Sequence, residues 1–319
     1  ATGDDGPELP AYIDQRTALE IFRARGFDLP VAEASVRAAE GDLAIAGAVP
    51  NPALGFGVGK SWQCDAPGCE YPAWTGSLSD QGAVALLVTG QRGLAVGAAE
   101  QGVKAAQASR RDALRGLSFQ LKQQFATTAV AQRALSFTRE EAALARETVE
   151  LARTRLRAGA TSEADVARAE TARLEAEQVV DASAQALRQA KVGLAFLLGV
   201  RGPVPDFDVG DEFAAPALPP ALGRADRDAL VEQGLAARPD LKAARAQEER
   251  ARTSLALARR QRFPDTAVSL GYQKEGTGQN ALQPPTTIVG LALTVPLFYR
   301  NQSHIARAEA DLKTQQLTA

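Results

Sequence analysis

Methionine is absent from the 319 residues, histidine occurs once, at His304, and cysteine twice, at Cys64 and Cys69. So thin a supply of ligating and nucleophilic side chains gives no Cys/His pair, no ligand cluster and no nucleophile beside a base. That argues against an enzyme and against a bound cofactor or metal. Aromatic residues make up 5% although hydrophobic residues make up 45%, and alanine dominates the apolar set. This excludes a bulky aromatic core and suits closely packed helices. No apolar run reaches the ~18 residues of a membrane-crossing helix. A membrane β-barrel stays open, since its strands need only about 9–11 residues with alternate positions apolar. The 36 basic and 38 acidic side chains are interspersed, net −2, without a basic run, and nucleic acid is excluded as a partner on that ground. The start, "ATGDDGPELPA", reads as the end left after removal of a signal peptide.

Three kinds of segment are present. From Ala11 to Val49 the chain is alanine-rich and helical in period, ending at "VPNP", where two prolines break it. "ALGFGVGKSW" then places Leu54, Phe56 and Val58 on one face of a strand and Gly55, Gly57 and Gly59 on the other, predicting a strand over about 53–62. "GAVALLVTG" alternates Val84, Leu86 and Val88, predicting a second strand over about 81–89. Nothing stops a helix firmly from Gln91 to Ala158, a rod on the order of 100 Å. "RLRAGATSEADV" breaks it, with Gly159 as left-handed cap and Ser162 with Asp165 imitating a capping box. A second helix to about Leu198 completes an antiparallel hairpin over 91–198.

Residues 201–223 carry five of the 17 prolines and read as a loop between two halves. Beyond it the plan repeats. A shift of 212 (240 minus 28) aligns Asp28 with Asp240, Leu43 with Leu255, Pro52 with Pro264 and Gly59 with Gly271. A shift of 209 (309 minus 100) aligns Glu100 with Glu309 and Lys104 with Lys313. The expected divisions are therefore a first repeat over 1–200, the loop, and a truncated second repeat over 224–319. The second repeat has strands at about 265–273 and 287–298. The latter, "VGLALTVPLFYR", carries Val289, Leu291, Leu293, Val295 and Leu297 on one face and runs almost directly into an amphipathic helix.

In this order of elements, and in "AEGDLAIAGAVPNPALGFG", "TRLRAGATSEADVARAE" and "VPLFYRNQSHIARAEADL", the chain resembles the TolC-like outer-membrane efflux family. Leu297, Phe298, Arg300, Asn301, Gln302 and Ile305 are similar to the "PLFDRNQGNI" type of segment in its CzcC-like, heavy-metal branch; Tyr299, Ser303 and His304 depart from it. The resemblance implies an α+β membrane protein with internal duplication. Its long antiparallel α-helices would form a periplasmic α-barrel, and four strands per protomer would enter a trimeric twelve-stranded β-barrel. It also implies partners: two further copies in a homotrimer, a periplasmic adaptor, an inner-membrane RND-type transporter and outer-membrane lipid. The implied role is the passive outer-membrane channel of a tripartite efflux pump, conducting heavy-metal cations from periplasm to exterior. A duct for drugs or secreted products in the same family, and a non-membrane coiled-coil protein, are the alternatives. The family's constricting acidic ring lies on a portion beyond these residues. Physics agrees with closure, because hydrocarbon leaves no partner for an exposed backbone group and four strands cannot close alone.

Individual residues admit a functional and a plain reading. Gly59, Lys60 and Ser61 match the end of a phosphate-binding loop, but Leu54 stands where its first glycine is needed. Cys64 and Cys69 are expected to form a disulfide in an oxidising compartment, with free thiols or a metal pair as alternatives. His304 is read as an ordinary polar residue near the membrane interface, against a metal relay or pH gate. Trp62, Phe298 and Tyr299, with Tyr71, Trp74 and Tyr272, lie at expected strand ends and read as an aromatic girdle or as scattered loop packing. At the hairpin turn, Arg155, Leu156, Arg157, Ala158, Gly159, Ala160, Thr161 and Ser162 are expected to meet the adaptor; the plain reading is a helix cap. Leu54, Phe56, Val58, Val84, Leu86, Val88, Val289, Leu291, Leu293, Val295 and Leu297 are expected to face lipid.

Overall fold

The computed structural model describes residues 9–26, 28–59, 73–210, 226–263, 266–275 and 284–318. Cys64, Cys69, Trp62 and Tyr71 lie outside them, and so do the expectations attached to those residues. The chain forms two compact units, one of residues 1–33 and 110–236, the other of 34–109 and 237–319.

In the first unit a short strand, β1 (Tyr12–Ile13), pairs in parallel with β4 (Asp208–Val209). The expected single helix from Ala11 is thus three elements. Asp14 accepts from the Thr17 N–H at 2.6 Å and starts α1 (Gln15–Arg25); Gly26 ends it, and α2 (Asp28–Gly47) follows. Gly26 is required there, since a Cβ would come within 2.6 Å of the Phe22 carbonyl oxygen. The residues read as an inter-repeat loop therefore supply a strand. Gln132 mimics a further strand for it, donating to the Val209 carbonyl at 3.3 Å and accepting from the Val209 N–H at 3.1 Å.

In the hairpin, α4 (Gln91–Arg157) is 67 residues without interruption and α5 (Glu163–Leu197) returns. Its base is the core of this unit. Ile13, Phe22, Leu121, Phe125, Leu194, Leu198 and Phe207 are all at most 2% exposed. Buried Thr128 is satisfied through its hydroxyl, which donates to the Gln124 and Ala190 carbonyls. Arg153 ties the two helices near the turn, reaching Glu150 and Glu170 at 2.8 Å each.

The second unit holds an antiparallel meander in the order β2 (Ala53–Gly59), β3 (Ala73–Ser79), β5 (Thr266–Glu275), β6 (Thr286–Leu293). Two expectations are corrected here. The segment read as a strand over 81–89 is a short helix, α3 (Ala83–Val88), so Val84, Leu86 and Val88 are helical residues. Asp80 decides this: its carboxylate accepts from the Val84 N–H at 3.0 Å and the Gly82 N–H at 3.3 Å, capping the first turn. The strand lies earlier, at β3. Second, β6 ends at Leu293, opposite Thr266, the first residue of its partner β5. Pro296 has no N–H to extend a ladder, and Val295 and Leu297 fall in the segment leading to α8 (Gln302–Thr318). Tyr272 sits inside β5, away from its ends.

Ahead of the second pair of strands come α6 (Arg227–Ala237) and α7 (Pro239–Arg260), the latter led by proline at its first position. Helices α7 and α8 pack together, with Arg259 and Glu309 paired at 2.8 Å.

Candidate functional site

The sheet has two unlike faces, and alternation along each strand builds both. Across all four strands Leu54 pairs with Leu78, Leu78 with Leu270, and Leu270 with Val289. Phe56, Val58, Trp74, Val268, Tyr272, Leu291 and Leu293 lie on that same face by the same registers. The opposite face is made of Gly55, Gly57, Thr75, Ser77, Ser269, Gly271, Gln273 and Gly290, with Ile288 as its largest aliphatic. There a Cβ on Gly55 would lie 2.6 Å from the Ser77 hydroxyl oxygen, so glycine and hydroxyl divide the space between neighbouring strands.

The bulky face is bare. Phe56 is 89% exposed, Val289 77% and Leu54 72%. So wide a contiguous apolar surface is costly in water and marks a protein or membrane interface. Among the described residues the outer strands β2 and β6 each have one hydrogen-bonded neighbour, so the sheet as described ends in two open edges. Of the positions expected on this face, Leu54, Phe56, Val58, Val289, Leu291 and Leu293 are brought together; Val84, Leu86, Val88, Val295 and Leu297 are not part of the sheet. Trp74, Leu78, Val268, Leu270 and Tyr272 complete the face and were not among the positions expected there. The signal was present as alternation in "AWTGSLS" and "TAVSLGYQ", but Gly76 interrupts the first run on its apolar side.

At the far end of the hairpin the turn is tightly specified. Gly159, at φ +69°, donates to the Leu156 carbonyl, and the Ala160 N–H donates to the Arg155 carbonyl, both at 2.9 Å. These two bonds close a Schellman cap. Ser162 opens α5 with a reciprocal capping box to Asp165. The Ser162 hydroxyl, then its N–H and the Thr161 hydroxyl, donate to the Asp165 carboxylate, and Arg168 stands 2.6 Å away. Those donors hold the Asp165 carboxyl at about 2, below its ordinary 3.8. Arg155, Arg157, Ala158, Gly159, Ala160 and Ser162 are exposed, Leu156 and Thr161 half-buried. The turn is closely hydrogen-bonded yet presents a small, accessible apex.

Phe298 is 94% exposed and Tyr299 48%, both between β6 and α8. His304 lies in the first turn of α8, edge-on to the Tyr299 ring at 6.4 Å. Among the described residues no group of three or more His, Cys, Asp or Glu is placed to hold a metal, and no helix is long and apolar enough to cross a membrane.

A sheet with one exposed apolar face, in a chain that also forms a long capped helical hairpin, defines a TolC-like outer-membrane channel subunit. The sequence model for outer membrane efflux protein matches residues 18–200 and 230–319, and the chain belongs to that family. The cobalt-zinc-cadmium resistance protein CzcC of Cupriavidus metallidurans is 24% identical over 301 residues, covering 94% of this chain and 67% of that protein. The crystal structure of CusC, described for transmembrane channel formation, aligns with a TM-score of 0.75 at 17% identity, covering 97% of this chain and 72% of CusC. VceC from Vibrio cholerae aligns with a TM-score of 0.69 at 22% identity, covering 95% and 74%. The protein is thus placed in the outer membrane. The family is one of channels.

Proposed function

We propose that three copies of the complete protein join edge to edge into a twelve-stranded barrel and conduct heavy-metal cations passively from periplasm to exterior, as the last component of a tripartite pump. The observation that carries this is the exposed row Leu54, Leu78, Leu270 and Val289, set in a sheet whose two outer edges are unpaired among the described residues. In hydrocarbon an unpaired edge is untenable, so the sheet must be continued by other copies. Leu54, Phe56, Val58, Val289, Leu291 and Leu293 then face lipid, and the glycine and hydroxyl face lines a polar lumen. Phe298 and Tyr299 mark the periplasmic boundary.

The cation class rests on the likeness to a cobalt-zinc-cadmium resistance protein. The residues from Arg155 to Ser162 are assigned to the periplasmic adaptor, because the apex is exposed, small and held far along a helix. The adaptor in turn connects to an inner-membrane RND-type transporter. A direct test is the mass of the full-length protein extracted in detergent, with metal tolerance of a deletion strain as the functional readout. A trimer that restores tolerance to divalent heavy metals supports the reading; a stable, water-soluble monomer contradicts it.

A further inference from the structure

Where the apolar sheet face gives way to helix, the second unit carries a pocket of about 410 Å³ lined by Arg262, Phe298, Arg300, Gln302 and Ile305. Two of these are arginines. The neighbouring Arg259 is neutralised by Glu309, which also borders the pocket, at 2.8 Å. Neither Arg262 nor Arg300 has an ion pair or a side-chain hydrogen bond among the described residues, and both are exposed. A guanidinium left without a carboxylate keeps its planar fork of donors available, and that fork matches phosphate.

The pocket is held in shape. The Arg300 N–H donates to Gln302 Oε1 at 2.7 Å, and Asn301, at φ +61°, donates from Nδ2 to the Ala258 carbonyl at 2.8 Å. That turn fixes Arg300 beside the end of α7, where Arg262 sits. Phe298, almost fully exposed, adds an apolar ring next to the two charges. Only four residues separate it from Leu293, the last residue of β6 and the end of the apolar face.

We infer that this pocket binds an anionic phospholipid of the periplasm-facing leaflet, its phosphate on Arg262 and Arg300 and its acyl chains along Phe298, Ile305 and the sheet. The inference rests on the sheet being embedded in lipid as proposed above. Charge and position select the ligand together: a soluble anion has no use for the exposed ring, and a neutral lipid none for two unpaired arginines. A phospholipid uses both. Held there, it fastens the join between barrel and tube at the membrane boundary.

The test uses the full-length protein in detergent, titrated with phosphatidylglycerol or with phosphatidylcholine of identical chains, and bound lipid is counted by native mass spectrometry. The wild type retains phosphatidylglycerol preferentially. Each of R262Q and R300Q weakens that retention about fivefold and the pair about 30-fold, at roughly one basic side chain's attraction to anionic lipid apiece. Phosphatidylcholine retention stays unchanged in these variants, and R262K/R300K keeps most of the preference. F298A lowers retention of both lipids. Unchanged phosphatidylglycerol retention in R262Q/R300Q that still inserts in the membrane overturns the inference and leaves the membrane reading standing. Failure of the wild type itself to insert overturns both. Displacement of the lipid by inorganic phosphate at comparable concentration identifies a free-anion site and also overturns it.

Discussion

Gly90 and Asn301 hold the same left-handed backbone, at φ +71° and +61°, each one residue before a helix that leaves the sheet, α4 and α8. They are 211 positions apart (301 minus 90), between the shifts of 212 and 209 at which the two halves of the sequence align. The same bend is thus made twice, once with glycine and once with an asparagine whose amide also binds the Ala258 carbonyl. Asn301→Gly is expected to keep the backbone and lose that bond together with a longer one to Gln261 Oε1 at 3.4 Å, about 1 kcal/mol in all. Asn301→Ala adds the left-handed strain, for about 2–3 kcal/mol in all. Thermal unfolding in detergent checks the order; equal stability of the two variants would show that the backbone angle carries no cost.

The two faces of the sheet are expected to respond oppositely to charge. Leu291→Arg places a cation on the apolar face and should cost about 2–4 kcal/mol of membrane stability, emptying the outer-membrane fraction. Gln273→Arg, on the face of glycines and hydroxyls, should insert normally and alter conductance only. Fractionation and bilayer recordings separate the two, and similar losses for both would contradict the assignment of faces.

The assignment of the turn to the adaptor predicts a separation between stability and transport. Ala160→Glu leaves helix content, trimer and insertion intact, since Ala160 is exposed and outside both helices, yet abolishes efflux-dependent resistance. Gly159→Val costs stability as well. A Cβ there meets nothing within 4 Å, so the loss of about 1–2 kcal/mol comes from the left-handed backbone alone. Full resistance with retained adaptor crosslinking in the Ala160 variant would reduce the turn to a plain cap.

Acid should loosen this turn at a definable point. The Asp165 carboxyl is lowered to about 2 in the folded state, from an ordinary 3.8. Its contribution is therefore complete above about pH 4 and is lost as pH falls through about 2. Hydrogen exchange in the first turn of α5 should be faster in Asp165→Asn than in wild type at pH 7, with the difference closing near pH 2. A difference that persists unchanged to pH 2 would mean that the carboxylate's charge is irrelevant to the cap.

The hairpin was legible because its signals are local: Gly159, Ser162 and Asp165 specify both caps within seven residues, and uninterrupted helical sequence does the rest. The faces of β2 and β6 were legible through strict alternation. The segment 82–90 misled because Ala85 and Leu87 are apolar too, so the alternation of Val84, Leu86 and Val88 was part of a continuous apolar run that fits helix equally. What settled it was the carboxylate of Asp80, outside the run, which also accepts from the Val268 N–H at 2.8 Å across a separation of 188 residues. Strand β3 was hidden because Gly76 stands on the apolar side between Trp74 and Leu78. The pairing of β1 with β4 joins residues near position 12 to residues near 208, and no local pattern announces so short a parallel pair.

Closure of the barrel by three copies is tested most directly at the two open edges. With Cys64 and Cys69 replaced by serine, cysteine pairs placed one on β2, over Ala53–Gly59, and one on β6, over Thr286–Leu293, are oxidised in intact outer membranes. Edge-to-edge closure predicts at least one register at which the product is a covalent trimer, β2 of each copy joined to β6 of the next. Monomers at every register, or bonds that form only within a single chain, would contradict it.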